Sequence, residues 1–139
     1  MNEKLIQRAT LSKGIGALIG IFVFIFLPYM WPDVTMHMRI GMFVGFTFLG
    51  GTIAVTGIFT QIPALNLKLT AAIRGALIGG SFMLVLVLIS YDLLVMYMRT
   101  ATVFQGLSPY WMIVDGIIIG AIIDIIATKK VGEGKELCQ

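Results

Sequence analysis

Four apolar runs, each about as long as a bilayer is thick, decide what this chain can become. They extend from Gly14 to Trp31, Ile40 to Phe59, Gly75 to Met98 and Tyr110 to Ala127. A helix rises about 1.5 Å per residue, so about 20 apolar residues cross a hydrocarbon core of about 30 Å. A membrane strand would instead alternate apolar and polar side chains over about 10 positions, and these runs are apolar on every side. The expected fold is therefore all-α and integral to the membrane, with four transmembrane helices at 14–31, 40–59, 75–98 and 110–127. Pro32, Pro63 and Pro109 fall in the connections, where a helix must stop or start.

Of the 139 residues, 58% are hydrophobic and 12% charged, too few charges to clothe a soluble globule. Four spans and their loops account for the length, so residues 1–139 read as a single membrane domain, with 128–139 as a flexible cytoplasmic tail. The first run has a basic front, but it ends in Leu27-Pro28-Tyr29-Met30-Trp31-Pro32, bulky where a signal peptidase needs small residues. It reads as a retained helix. The net charge of +3 does not point to nucleic acid, because the basic residues flank apolar runs and do not gather on a water-facing surface.

Those basic residues orient the chain instead. Lys4, Arg8, Lys13, Lys68, Arg74, Lys129, Lys130 and Lys135 fall on one side of the four spans, and only Arg39 and Arg99 on the other. Lys and Arg are retained on the cytoplasmic side during insertion, so both termini are expected in the cytoplasm of a multi-pass protein of the cell (cytoplasmic or inner) membrane. Tyr29, Trp31, Tyr110 and Trp111 then lie at the outer interface, where amphipathic rings settle.

The pentapeptide Gly16-Ala17-Leu18-Ile19-Gly20 recurs as Gly75-Ala76-Leu77-Ile78-Gly79. Gly41 and Gly45, and Gly116 and Gly120, carry the same spacing in the second and fourth runs. The expectation is a tandem repeat of two helical hairpins of like orientation. Residues four apart share a helix face, and two glycines there let another backbone approach closely, which drives association in lipid. The glycines are thus expected to pack helices within the bundle and to favour a homo-oligomer or assembly with other membrane subunits.

Three acids lie within the apolar runs: Asp92, Asp115 and Asp124. An ionised carboxylate in hydrocarbon is unfavourable by several kcal/mol and must be paired, protonated or wetted. At about 100° per residue, Asp124 continues the stripe of Gly116 and Gly120, whereas Asp115 faces the other way. Asp124 is one turn inside Lys129, at the depth of Arg74, which predicts an Asp124–Arg74 pair on the cytoplasmic side. Asp92 and Asp115 fall in the outer third, where Arg39 is the available counter-charge. An outer polar cluster of Asp92, Asp115, Arg39 and His37 is the expected ion site.

No G-x-S-x-G, H-E-x-x-H, Walker loop or paired metal-ligand spacing occurs, and His37, the only histidine, has no second axial ligand to hold haem. No metal or cofactor is expected. Tyr91-Asp92, with a later aspartate in the next run, resembles the intramembrane aspartyl proteases, which pair Tyr-Asp with Gly-x-Gly-Asp. The second half is missing, since Asp115 follows Met112-Ile113-Val114 and Asp124 follows Ala121-Ile122-Ile123. The leading expectation is a non-enzymatic, helix-packing membrane protein, either a homo-oligomer or an accessory subunit. The alternative is an oligomeric cation or proton channel or carrier built on Asp115 and Asp92.

Overall fold

The computed structural model describes residues 3–62, 67–103 and 105–137. Among the described residues it has four α-helices: α1 (Glu3–Met30), α2 (Met36–Thr56), α3 (Ala71–Arg99) and α4 (Trp111–Val131). Each helix is long and apolar enough to cross a membrane, which makes this a multi-pass membrane protein by length and composition. Only 22–33% of each apolar stretch is buried within the bundle. Large side chains such as Leu18, Phe22, Phe48, Leu77 and Ile89 point outward, an arrangement that lipid tolerates and water does not.

The helices run past the apolar segments that announce them. α1 starts at Glu3, well before Gly14, and α4 continues through Lys129 and Lys130 to Val131. Hydropathy marks only the lipid-embedded length, while Glu, Lys, Gln and Arg are good helix formers and carry the helix onward. The 28 residues of α1 measure about 42 Å, so its polar first turns project beyond a core of about 30 Å. α2 begins earlier than Ile40 because Thr35 caps it, its hydroxyl accepting from Met38 N at 3.3 Å.

α1 packs chiefly on α2 and α3 on α4; α4 also meets α1 and α2, and α2 meets α3. Among the described residues no Cα of α1 lies within 8 Å of a Cα of α3. The α3–α4 seam is backbone against backbone. A methyl group on Gly120 would sit 2.9 Å from Gly79 Cα, and one on Gly79 would sit 3.0 Å from Gly120 Cα. On α1, Gly20 lies against α2 so closely that a methyl there would be 3.0 Å from Phe43 Cα, and Gly16 abuts Phe46 and Gly50.

The α2 glycines depart from expectation. Gly41 faces open space and Gly45 faces the Phe82 ring of α3, so neither meets α1. The α2 surface that receives α1 is formed by Phe43, Phe46 and Gly50, and Gly50 in turn lies against the Ser12 backbone. Spacing shows which residues share a face of a helix, and the rotation of α2 decides which face meets a neighbour.

Two connections carry more structure than their composition suggests. After α2, β1 (Gln61–Ile62) and β2 (Leu67–Lys68) form an antiparallel pair, with Gln61 opposite Lys68; Pro63 lies outside the described residues. The tail is not free through Leu137. Gly132 and Gly134 adopt left-handed φ of 98° and 64°, which glycine permits, and turn the chain back. Gly134 N then donates to Gly57 O at 2.9 Å, and a 3-10 turn over Gly134–Leu137 buries Leu137. Cys138 lies outside the described residues.

The opposite end is closed by aromatic packing. Trp31 stacks on Tyr97 with ring centroids 5.8 Å apart, and the Tyr97 hydroxyl is 3.2 Å from Thr35 Oγ1. Thr102 N donates to Met30 O at 3.0 Å, tying the last connection to the end of α1.

Candidate functional site

The polar groups buried most deeply converge at the end of the bundle where α1 begins and α4 ends. Arg8, Arg74 and Asp124 are at most 2% exposed. Their approach follows from the glycine seam. A methyl on Gly75 would stand 2.7 Å from Asp124 Cβ, so the absence of a side chain brings α3 close enough for the adjacent Arg74 to reach Asp124. Arg74 Nε donates to Asp124 Oδ2 at 2.8 Å and Arg74 Nη2 to Asp124 Oδ1 at 3.0 Å, the two-pronged pairing that suits a guanidinium.

Arg8 reaches the same carboxylate from α1, its Nη2 donating to Asp124 Oδ1. Its Nη1 donates to Thr128 Oγ1 at 3.1 Å and to Gly132 O at 2.5 Å, just beyond the last turn of α4. Unpaired carbonyls at a helix C-terminus carry partial negative charge, which a guanidinium satisfies. Arg74 also donates from Nη1 to Phe59 O at 3.1 Å and from Nη2 to Glu133 Oε2 at 2.9 Å. Gly57, which caps α2, leaves the room that the Arg8 guanidinium occupies. Side chains of α1, α3 and α4, with backbone from the end of α2, thus meet in one cluster. Its two arginines face two carboxylates, so the formal charges balance.

Asp124 accepts from both guanidiniums, so both of its oxygens are engaged within the cluster. Arg8 Nε and Ser12 Oγ, one turn apart on α1, are buried without a hydrogen-bond partner among the described residues.

The outer cluster expected from sequence is not assembled. Among the described residues, no ion pair includes Asp92, Asp115, Arg39 or His37. Arg39 turns toward α1, where its Nε donates to Phe24 O at 2.9 Å and its guanidinium covers the Phe24 ring at 4.2 Å. The cause is local. Pro28 lacks an N–H, so Phe24 O four residues earlier loses its intrahelical donor and Arg39 replaces it. Asp92 and His37 are exposed. Among the described residues, no group of three or more His, Cys, Asp or Glu side chains could hold a metal.

Asp115 is exposed as well, but at the edge of a cavity. It lines a cavity of about 340 Å³ whose mouth includes Phe22 and Phe26 of α1 and Ile118 of α4. Trp31, Met42, Met83 and Met112 stand on its buried wall.

Arg8 and Glu133 are the members of the cluster that sequence reasoning did not assign to it. The signal for Arg8 is present: Arg8, Ser12, Gly16 and Gly20 stand four residues apart and are all buried on α1. That is the same stripe logic that puts Asp124 in line with Gly116 and Gly120. Glu133 had no such signal, because its position depends on the reversal at Gly132.

Comparison with protein-family models, curated proteins and solved structures finds no match to this chain.

Proposed function

We propose that this chain is a small, non-enzymatic multi-pass protein of the cell membrane that works as an accessory subunit or as a homo-oligomer. The observation that carries this reading is the charge-balanced cluster of Arg8, Arg74, Asp124 and Glu133, which commits buried charge to joining helices. The glycine faces of α1, α3 and α4 support it further, since they are occupied inside the bundle. Lateral partners would therefore meet the outward apolar side chains, and lipid would cover the remainder.

In this reading the cluster lies at the cytoplasmic end, with both termini inside, because eight of the ten Lys and Arg residues fall on that side of the spans. The recurrence of Gly16–Gly20 as Gly75–Gly79 supports a duplicated hairpin, as does the use of both segments against the following helix.

One observation favours a second reading, a cation or proton carrier: Asp115 lines a cavity and has no ion-pair partner among the described residues. Reconstitution in liposomes separates the two. The accessory reading predicts proton and alkali-cation flux no greater than in empty liposomes, together with recovery of a defined homo-oligomer or partner subunit by cross-linking in native membranes. Flux that vanishes in Asp115→Asn while the protein stays folded would replace it with the carrier reading.

A further inference from the structure

We infer that the cavity between α1 and α4 is a binding site for a small hydrophobic organic cation, with Asp115 as its counter-charge. The inference goes beyond an accessory role and does not require transport, since it concerns equilibrium binding.

Three features select this ligand class. At about 340 Å³ the cavity is as large as the smaller of the pockets, about 300–1,000 Å³, that hold small organic molecules. Its lining is apolar and aromatic apart from one carboxylate, Asp115, which makes no ion pair or side-chain hydrogen bond among the described residues. A carboxylate at this depth must be paired, protonated or wetted, and no Lys or Arg pairs with it among the described residues: Arg39 is engaged on Phe24, Arg8 and Arg74 on Asp124, and Arg99 makes no ion pair. A cation from outside the chain would supply the missing charge. Hydrophobic groups on the cation would contact Phe22, Phe26 and the two indoles, Trp31 and Trp111, whose ring faces attract an ammonium. Met42, Met83 and Met112 supply polarizable side chains that adapt to irregular shapes.

Trp31 adds a polar detail at the inner wall. The residue is buried, and its indole N–H has no hydrogen-bond partner among the described residues. Exposed Phe22 and Phe26 at the mouth allow entry from the lipid side, the phase in which a hydrophobic cation accumulates.

The test uses the intact, detergent-purified protein and two probes of nearly identical shape, benzyltrimethylammonium and its neutral carbon analogue neopentylbenzene. Binding is measured by equilibrium dialysis against protein-free micelles. Both tryptophans of the chain line the cavity, so a change in their emission locates the bound probe. The expected result is saturable binding of the cation at least about tenfold tighter than that of the neutral analogue, a loss of about tenfold or more in Asp115→Asn, and retention in Asp115→Glu and Asp92→Asn. Equal affinity for the two probes in the wild type would overturn the proposal and assign the cavity to neutral apolar chains such as lipid tails. That comparison needs no variant, so it stands even if Asp115→Asn fails to fold. Undiminished cation binding by folded Asp115→Asn would overturn it equally.

Discussion

Arg74 grips Asp124 with two nitrogens, at 2.8 and 3.0 Å, at a point where α3 and α4 are held together by glycines. The close helix seam and the buried ion pair depend on each other. Without Gly75 the helices would part and the guanidinium would not reach; without the pair, Arg8 alone would be left to hold the carboxylate at the end of the seam.

Removing the shared carboxylate should therefore be severe. Asp124→Leu leaves two buried guanidiniums with Glu133 as their remaining acid, and breaking such pairs typically destabilises by about 3–5 kcal/mol. Thermal unfolding in a mild detergent should show a strongly lowered midpoint or failure to accumulate. Asp92→Leu, in contrast, should unfold close to wild type, because Asp92 is exposed and forms no ion pair among the described residues.

The glycines should divide into two classes under substitution. Gly79→Val and Gly120→Val force side-chain atoms into the facing backbone, for which overpacking costs of about 1–3 kcal/mol are a lower guide. Gly41→Val meets open space and should leave the unfolding midpoint unchanged or slightly raised. Equal losses at Gly41 and Gly79 would show that the helices pack through other faces.

The folded tail predicts that its final segment is structural. Truncation after Gly132 removes Glu133 from Arg74 and the buried Leu137 from the bundle. Loss of one buried leucine alone corresponds to about 1.5–3 kcal/mol. The truncated protein should unfold earlier and become more sensitive to proteases near Arg8.

The proposed orientation is open to a labelling test. In a Cys138→Ser background, a cysteine replacing exposed Asp33 should react with a membrane-impermeant maleimide on intact cells. Wild-type Cys138 should react only after permeabilisation. The reverse pattern would invert the topology.

How far the sequence foretells this arrangement depends on which physical variable each feature needs. Apolar length alone locates α1 to α4, and counting residues from Lys129 and Arg74 brings Asp124 and Arg74 to the same depth. Depth does not say which way a side chain faces. Arg39 stands near Asp92 and Asp115 by level along the chain, but the carbonyl that Pro28 leaves unpaired turns it toward α1. Rotation also explains why Gly41 and Gly45 share the right spacing and miss α1. The contact between Arg8 and Asp124 joins residues 116 positions apart, so only its four-residue stripe could hint at it. The cavity at Asp115 belongs to the gap between two helices and has no local pattern to read.

The account rests on buried charges acting together as an architectural tie, and a double-mutant cycle on Asp124 and Arg74 tests that most directly. Unfolding midpoints would be measured for Asp124→Asn, Arg74→Gln and the double variant. The prediction is strong coupling: each single change leaves an unbalanced buried charge, while the double leaves Arg8 and Glu133 in balance and loses much less than the sum. Strictly additive losses would contradict the tie and return Asp124 and Arg74 to the status of separate residues.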